Sequence, residues 1–181
     1  MNDSLSKQEN FQGAFGQPVL KLGDNPEKDR RILRLKLALE ELGELAEGMG
    51  MSYDYVDLLT AHQKSILDAD KNKNTKYDKI AVLDALADIQ VIHNGTILEC
   101  GMAEIFDEAY DAVHESNMSK VCTSQEEAEQ TVDYYTEKGN EGELDIKPMG
   151  VGDTEYFIVQ RTDGKALKSI NYTPVNLKPL L

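Results

Sequence analysis

Two aspartates stand inside a segment that is otherwise almost wholly apolar, Ile80-Ala-Val-Leu-Asp84-Ala-Leu-Ala-Asp88-Ile-Gln-Val-Ile92. Upstream, Glu40-Glu41-Leu-Gly-Glu44 gathers further carboxylates in a short run. An ionised carboxylate withdrawn from water is costly unless a cation meets it, so acids in a helical core ask for a metal. On a helix, Glu40 and Glu44 stand at i,i+4, Glu41 and Glu44 at i,i+3, and Asp84 and Asp88 at i,i+4. Each segment can therefore aim its acids from one face. Oxygen-only donor sets suit hard divalent cations, magnesium or manganese first and calcium behind them. A lone E-E-x-x-E is ordinarily a solvated helix face. The second, apolar segment shifts the reading, because two helices sending carboxylates toward one point is a bundle-core arrangement for metals.

Other chemistry is less well supported. Asp68-Ala-Asp70-Lys-Asn72-Lys-Asn74 has the opening of a calcium loop, but Lys73 stands where the sharp turn needs glycine and Lys79 where the bidentate glutamate belongs. It reads as a polar connection. His62, His93 and His114 are scattered, with no zinc-ligand spacing. The chain has no nucleophile elbow, P-loop or dinucleotide fingerprint. Cations close the list of candidates, in Ser116-Asn-Met-Ser-Lys120 and in Asp163-Gly-Lys165-Ala-Leu-Lys168-Ser-Ile-Asn171-Tyr172. Lysines grouped with Asn and Tyr can hold phosphates and stack on or hydrogen-bond a base. The alternative is ordinary surface lysine.

The elements that must carry these residues are mostly helical. A short first helix around Phe11 and Phe15 ends at Gly16-Gln17-Pro18. Asn25 and Pro26 open a second, to about Met49, with Asn as N-cap and Pro at the first position. Its main stripe is Leu35, Ala38, Leu42, Leu45 and Met49, while Leu33 and Leu37 share the side of Glu40 and Glu44. A third helix is predicted over Tyr55–Asp68, the apolar one over Tyr77–Cys100 closed by Gly101, and a fifth over Met102–Met118. Ser124-Gln-Glu-Glu127 is a capping box opening a short polar helix that ends at Lys138-Gly139. Leu144–Met149 and Thr154–Arg161 then read as a β-hairpin, with Phe157 and Val159 on one face and Tyr156 and Ile158 on the other. The helix and hairpin of 123–161 are expected to be a peripheral insertion whose removal leaves the rest folded.

Length and charge bound the partners. The chain has 181 residues, enough for one cored domain with a small appendage. A formal charge of −14 argues against non-specific nucleic-acid or anionic-membrane binding. It leaves a nucleotide substrate open, because bound cations locally reverse the field. Cys100 and Cys122 form no C-x-x-C pair or disulfide framework, and there is no leader-like or spanning run, so a cytoplasmic location is expected.

Taken in order, Glu40-Glu41-x-x-Glu44 and Asp84-Ala-Leu-Ala-Asp88-Ile resemble the MazG-like, all-α nucleoside triphosphate pyrophosphohydrolases. That superfamily also holds phosphoribosyl-ATP pyrophosphohydrolase and dimeric dUTPases. The likeness extends to the Phe-containing first helix, to His114-Glu-Ser-Asn-Met-Ser-Lys120 and to Asp163-Gly-Lys165-x-x-Lys168-x-x-Asn171-Tyr172-x-Pro174. It covers nearly everything except about Thr123 to Arg161. One departure matters. The family's second acidic motif is E-x-x-D, which puts its aspartate on Asp88 and its glutamate on Ala85; Asp84 is the available substitute.

The resemblance implies an all-α, MazG-like helical bundle with a small α+β insertion near the C-terminus. It divides the chain into a helical catalytic domain (1–122), the insertion (123–161) and a substrate-binding tail (162–181). The activity implied is cleavage of a nucleoside triphosphate, dUTP or another pyrimidine nucleotide, to the monophosphate and pyrophosphate. Magnesium, or manganese in its place, would be held by Glu41, Glu44 and Asp88, with Asp84 beside them. Glu40 would bind metal or activate the water; Lys120, Lys165 and Lys168 would contact phosphates, with Asn171 and Tyr172 near the sugar or base. The wide apolar stripes predict a homodimer or homotetramer. Two other readings stay open: a phosphoribosyl-ATP pyrophosphohydrolase-like enzyme, and a helical nucleotide-binding or assembly module, which Ala85 favours.

Overall fold

The computed structural model describes residues 3–51, 57, 60–61, 64, 77–139 and 143–181. Among them run α1 (Asp3–Ala14), α2 (Lys28–Gly48), α3 (Lys79–Glu99), α4 (Phe106–Met118), α5 (Gln125–Glu137), β1 (Leu144–Val151), β2 (Thr154–Arg161) and a 3-10 turn at Lys178–Leu180. The calcium-loop-like run at 68–74, His62 and most of the helix expected over 55–68 lie outside the described residues. The architecture corrects the all-α expectation. Of the described residues 56% are helical and 12% lie in strands or bridges, an α+β mixture. The physical reason is where the core lies.

The chain divides into two compact units, Met1–Val19 with Leu86–Leu181, and Leu20–Ala85. In the first, two apolar clusters sit on the two faces of the hairpin. Cys122, Ala128, Phe157 and Val159 form one, with Val132, Leu144, Ile146 and Leu167 against it. Ala14, Val121 and Ile158 form the other, with Phe15, Met118, Met149, Val151 and Tyr156. The strand alternation read from sequence is therefore the alternation found. What differs is its weight: the hairpin carries the core instead of decorating it. The segment expected to be peripheral supplies Ala128, Thr131, Phe157, Ile158 and Val159, all buried.

Local signals explain the hairpin and its helix. β1 and β2 pair antiparallel from Leu144↔Arg161 to Val151↔Thr154. Gly152 takes φ 59° at the first of the two turn positions, which a II′ hairpin turn requires and which strains any residue with a Cβ. Along its other edge β2 exchanges backbone hydrogen bonds with Cys122, Cys122 N–H to Phe157 O at 2.9 Å and the reverse at 2.8 Å. Ser124 Oγ accepts from the Glu127 N–H at 3.1 Å, capping α5 as the capping box predicts. The reciprocal bond goes one residue further out, from Thr123 N–H to Glu127 Oε2 at 2.8 Å.

In the second unit α2 begins at Lys28, with Glu27 as an N-cap that makes no side-chain cap. Asn25 and Pro26 thus precede the helix instead of opening it. The better-covered stripe of α2 is Ile32, Leu39, Gly43 and Ala46, of which Ala46 is buried. The stripe predicted from sequence lies a quarter turn away. Its Leu35, Leu42, Leu45 and Met49 stay 42–51% exposed. Asp78 caps the start of α3, Oδ1 accepting from Ile80 N–H at 2.9 Å and Ala81 N–H at 3.1 Å. Arg31 lies over the Tyr77 ring, 5.3 Å from its centroid. Among the described residues no helix is long and apolar enough to cross a membrane.

Candidate functional site

The acidic candidates come first. Glu40, Glu41 and Glu44 are all exposed, on the side of α2 away from Ile32, Leu39 and Ala46. Asp84 and Asp88 are exposed as well, and no residue of α3 is buried. The premise that these aspartates sit in a helical core is therefore not met within the chain. Their large apolar neighbours are exposed too, from Val82 at 36% to Ile80 at 82%. Glu40, Glu41, Glu44 and Asp84 belong to the second unit and Asp88 to the first. Among the described residues, no three His, Cys, Asp or Glu side chains group closely enough to hold a metal ion. The fit to magnesium or manganese rests on donor chemistry alone: carboxylate oxygens, with no soft ligand among them.

The cationic candidates are better assembled. Lys120, at the end of α4, donates through Nζ to Asn117 Oδ1 at 2.6 Å. Lys168 places its Nζ 4.0 Å from the centroid of the Tyr172 ring. The Ser116 side chain beside the Tyr172 phenol is the main influence lowering its pKa; partial desolvation opposes this, and Lys168 and Lys120 lower it further. Ser116 is itself buried, one turn before Lys120 on α4. Two ammonium groups, an amide and two hydroxyls thus converge at the junction of α4 and the tail. A concentration of fixed positive charge in a chain of −14 is where an anion would be attracted.

Two of the predicted substrate contacts do not join this cluster. Lys165 lies exposed in the turn after β2, its N–H donating to Asp163 Oδ1 at 3.1 Å. Asn171 lies instead on the Glu127 side, where its side chain helps hold the Glu127 carboxyl below its usual range. Sequence reasoning missed Ser116 and Asn117 as members and missed Glu127 altogether. The signal for the first two was their position in the run Ser116-Asn-Met-Ser-Lys120, where i and i+4 share a helix face. Glu127 gave no signal beyond its capping box.

Cys122 is a buried thiol and Cys100 an exposed one, both free. Burial pushes the Cys122 thiol up, which suits packing against Thr131 Oγ1 at 3.6 Å and not nucleophilic use. His93 stacks edge-on against Phe106, with centroids 5.4 Å apart.

No family model matches the chain, and no solved structure matches it. An uncharacterized protein of Acanthamoeba polyphaga mimivirus is 38% identical over 76 residues, which cover 41% of this chain and 30% of that protein. The matched stretch is thus under a third of the viral protein's length.

Proposed function

We propose that this chain is a nucleoside triphosphate pyrophosphohydrolase of the MazG-like kind, converting a magnesium-complexed pyrimidine (deoxy)nucleoside triphosphate, such as dUTP, to monophosphate and pyrophosphate. The observation that carries the reading is the convergence of Lys120, Lys168 and Tyr172 with Ser116 and Asn117 on a strongly acidic chain. Ammonium groups bind phosphate oxygens as point charges, and the phenol and amide add directional bonds. The two acidic segments supply the second half of the reading. Glu41, Glu44 and Asp88, with Asp84 in place of the glutamate absent at Ala85, are the proposed magnesium ligands, and Glu40 the residue that orients or deprotonates water. Magnesium, when bound, offsets the repulsion between the carboxylates and the phosphates. A cytoplasmic location, where nucleoside triphosphates are held, goes with this activity.

Lys120→Ala and Lys168→Ala test the phosphate contacts. Each removes a charge-assisted hydrogen bond worth about 1.5–3 kcal/mol, so KM for the magnesium–nucleotide should rise about tenfold or more. Steady-state kinetics with unchanged KM in both would remove the cluster from the substrate site.

The uncovered apolar residues of α3 and the exposed Leu35–Met49 stripe of α2 support a homo-oligomer, dimer or tetramer, in this reading. Light scattering at micromolar concentration should return at least twice the chain mass. A stable monomer would leave those faces to another partner. That same exposure, with Ala85 in the second acidic motif, is what favours the second reading, a helical assembly module without catalysis. Magnesium-dependent release of pyrophosphate separates the two.

A further inference from the structure

The tail that carries Lys168 and Tyr172 lies outside the helices and strands at this point, so side chains from elsewhere must hold it. Ser169 is buried, and its N–H donates to Lys120 O at 3.0 Å. Its hydroxyl donates to Glu127 Oε1 in a short hydrogen bond and accepts from Asn171 N–H at 2.9 Å. Ile170 N–H donates to Thr131 Oγ1 at 3.2 Å, and Thr173 N–H to Ser119 Oγ at 3.0 Å. Glu127 and Thr131 stand one turn apart on α5, so a single helix provides two of these anchors.

Glu127 divides its two oxygens between separate tasks. Oε2 accepts from Thr123 N–H at 2.8 Å and from Thr123 Oγ1 at 2.9 Å, which is the local capping role. Oε1 reaches Ser169, 42 residues along the chain, which capping does not require. Partial burial pushes the Glu127 carboxyl up, but the bonds from Ser169, Thr123 and Asn171 outweigh it and hold the carboxyl below its usual range. At neutral pH it is therefore an ionised acceptor with its capacity filled.

We propose that Glu127 is a positioning residue: α5 anchors the tail through the Glu127–Ser169 hydrogen bond, holding Lys168 and Tyr172 against Ser116 and Lys120 to complete the phosphate-contacting cluster. The identity of the anion rests on the pyrophosphohydrolase reading; the anchoring does not. The 123–161 segment thereby gains a role beyond packing, as the clamp that sets where the tail lies.

The test compares Glu127→Ala, Ser169→Ala and Ser124→Ala with the parent. Ser124→Ala loosens the α5 cap without touching the anchor, and Ser169→Ala removes the anchor while leaving the cap whole. The first readout is ultraviolet titration of the tyrosines, with Tyr172→Phe identifying the early-titrating one among the eight. The second is the split between KM and kcat for magnesium–nucleotide. Glu127→Ala and Ser169→Ala should raise the Tyr172 pKa back toward that of an ordinary tyrosine and raise KM about tenfold, with kcat within about twofold. Ser124→Ala should move neither. The proposal is overturned if Ser169→Ala leaves both readouts at parent values, or if Ser124→Ala moves them as far. Should Glu127→Ala not fold, Ser169→Ala decides alone. Should the parent hydrolyse no nucleotide, the enzymatic reading fails and the Tyr172 titration settles the anchor by itself.

Discussion

Glu44→Gln and Asp88→Asn are each expected to reduce magnesium-dependent hydrolysis at least about a hundredfold, some ~2.7 kcal/mol of lost transition-state stabilisation. Each amide keeps the shape of the acid and removes the anionic oxygen that a hard cation prefers. Both residues are exposed on helices, and neither change empties a core site, so stability should move by no more than about 0.5 kcal/mol. That separation of activity from folding is what identifies a ligand. Asp84→Asn is the informative companion, because Asp84 is the proposed substitute for a metal-binding glutamate at the position Ala85 occupies. Full activity in Asp84→Asn beside loss in Asp88→Asn would remove Asp84 from the ligand set. Parent-like hydrolysis in Glu44→Gln and both aspartate variants would end the enzymatic reading.

Phe157→Ala should destabilise the first unit by about 3–5 kcal/mol, the range for deleting a buried aromatic ring. Phe157 is only 9% exposed and lies at the point where β2 bonds to Cys122 and faces Ala128 of α5. Its loss opens a cavity between the hairpin and the helix that caps it. A marginally stable unit would be left largely unfolded in thermal or denaturant melts. Deletion of 123–161 should be worse still, since it removes Ala128, Phe157 and Val159 from one cluster and Ile158 from the other. A melt of Phe157→Ala matching the parent's would return the segment to the peripheral role expected from sequence.

That expectation shows where the sequence was legible and where it was not. Short-range signals read well. The alternation in Thr154–Arg161 put Phe157 and Val159 on one face and Ile158 on the other, and Ser124 capped its helix as its spacing implied. Gly101, with φ 70°, closes α3 where the apolar run ends. Long-range consequences did not read. A hairpin between a polar helix and a turn looks detachable, and only the packing of Ala14 and Val121 on one side and Ala128 on the other makes it a core. The α2 stripe was misplaced because leucines outnumber the small residues that α2 covers. Ile32, Leu39, Gly43 and Ala46 form the better-covered face, and of these Ala46 alone is buried.

The candidate site divides along the same line. Lys120, Lys168 and Tyr172 were singled out by local grouping and by the resemblance, and the structure brings their side chains into one neighbourhood. Ser116 joins them by its proximity to the Tyr172 phenol, which no spacing rule announces across 56 positions. The acidic segments rested on an inference of burial that the exposure of α3 contradicts within one chain. Apolar composition marks a face that is buried somewhere, and it does not say against what.

Product analysis of the parent with magnesium and a panel of nucleoside triphosphates decides whether the chain is a pyrophosphohydrolase. A pyrimidine nucleotide should be converted to equal amounts of monophosphate and pyrophosphate, with chelation of the metal stopping the reaction. Release of orthophosphate and diphosphate instead, or no monophosphate above the magnesium blank from any nucleotide, would contradict the account.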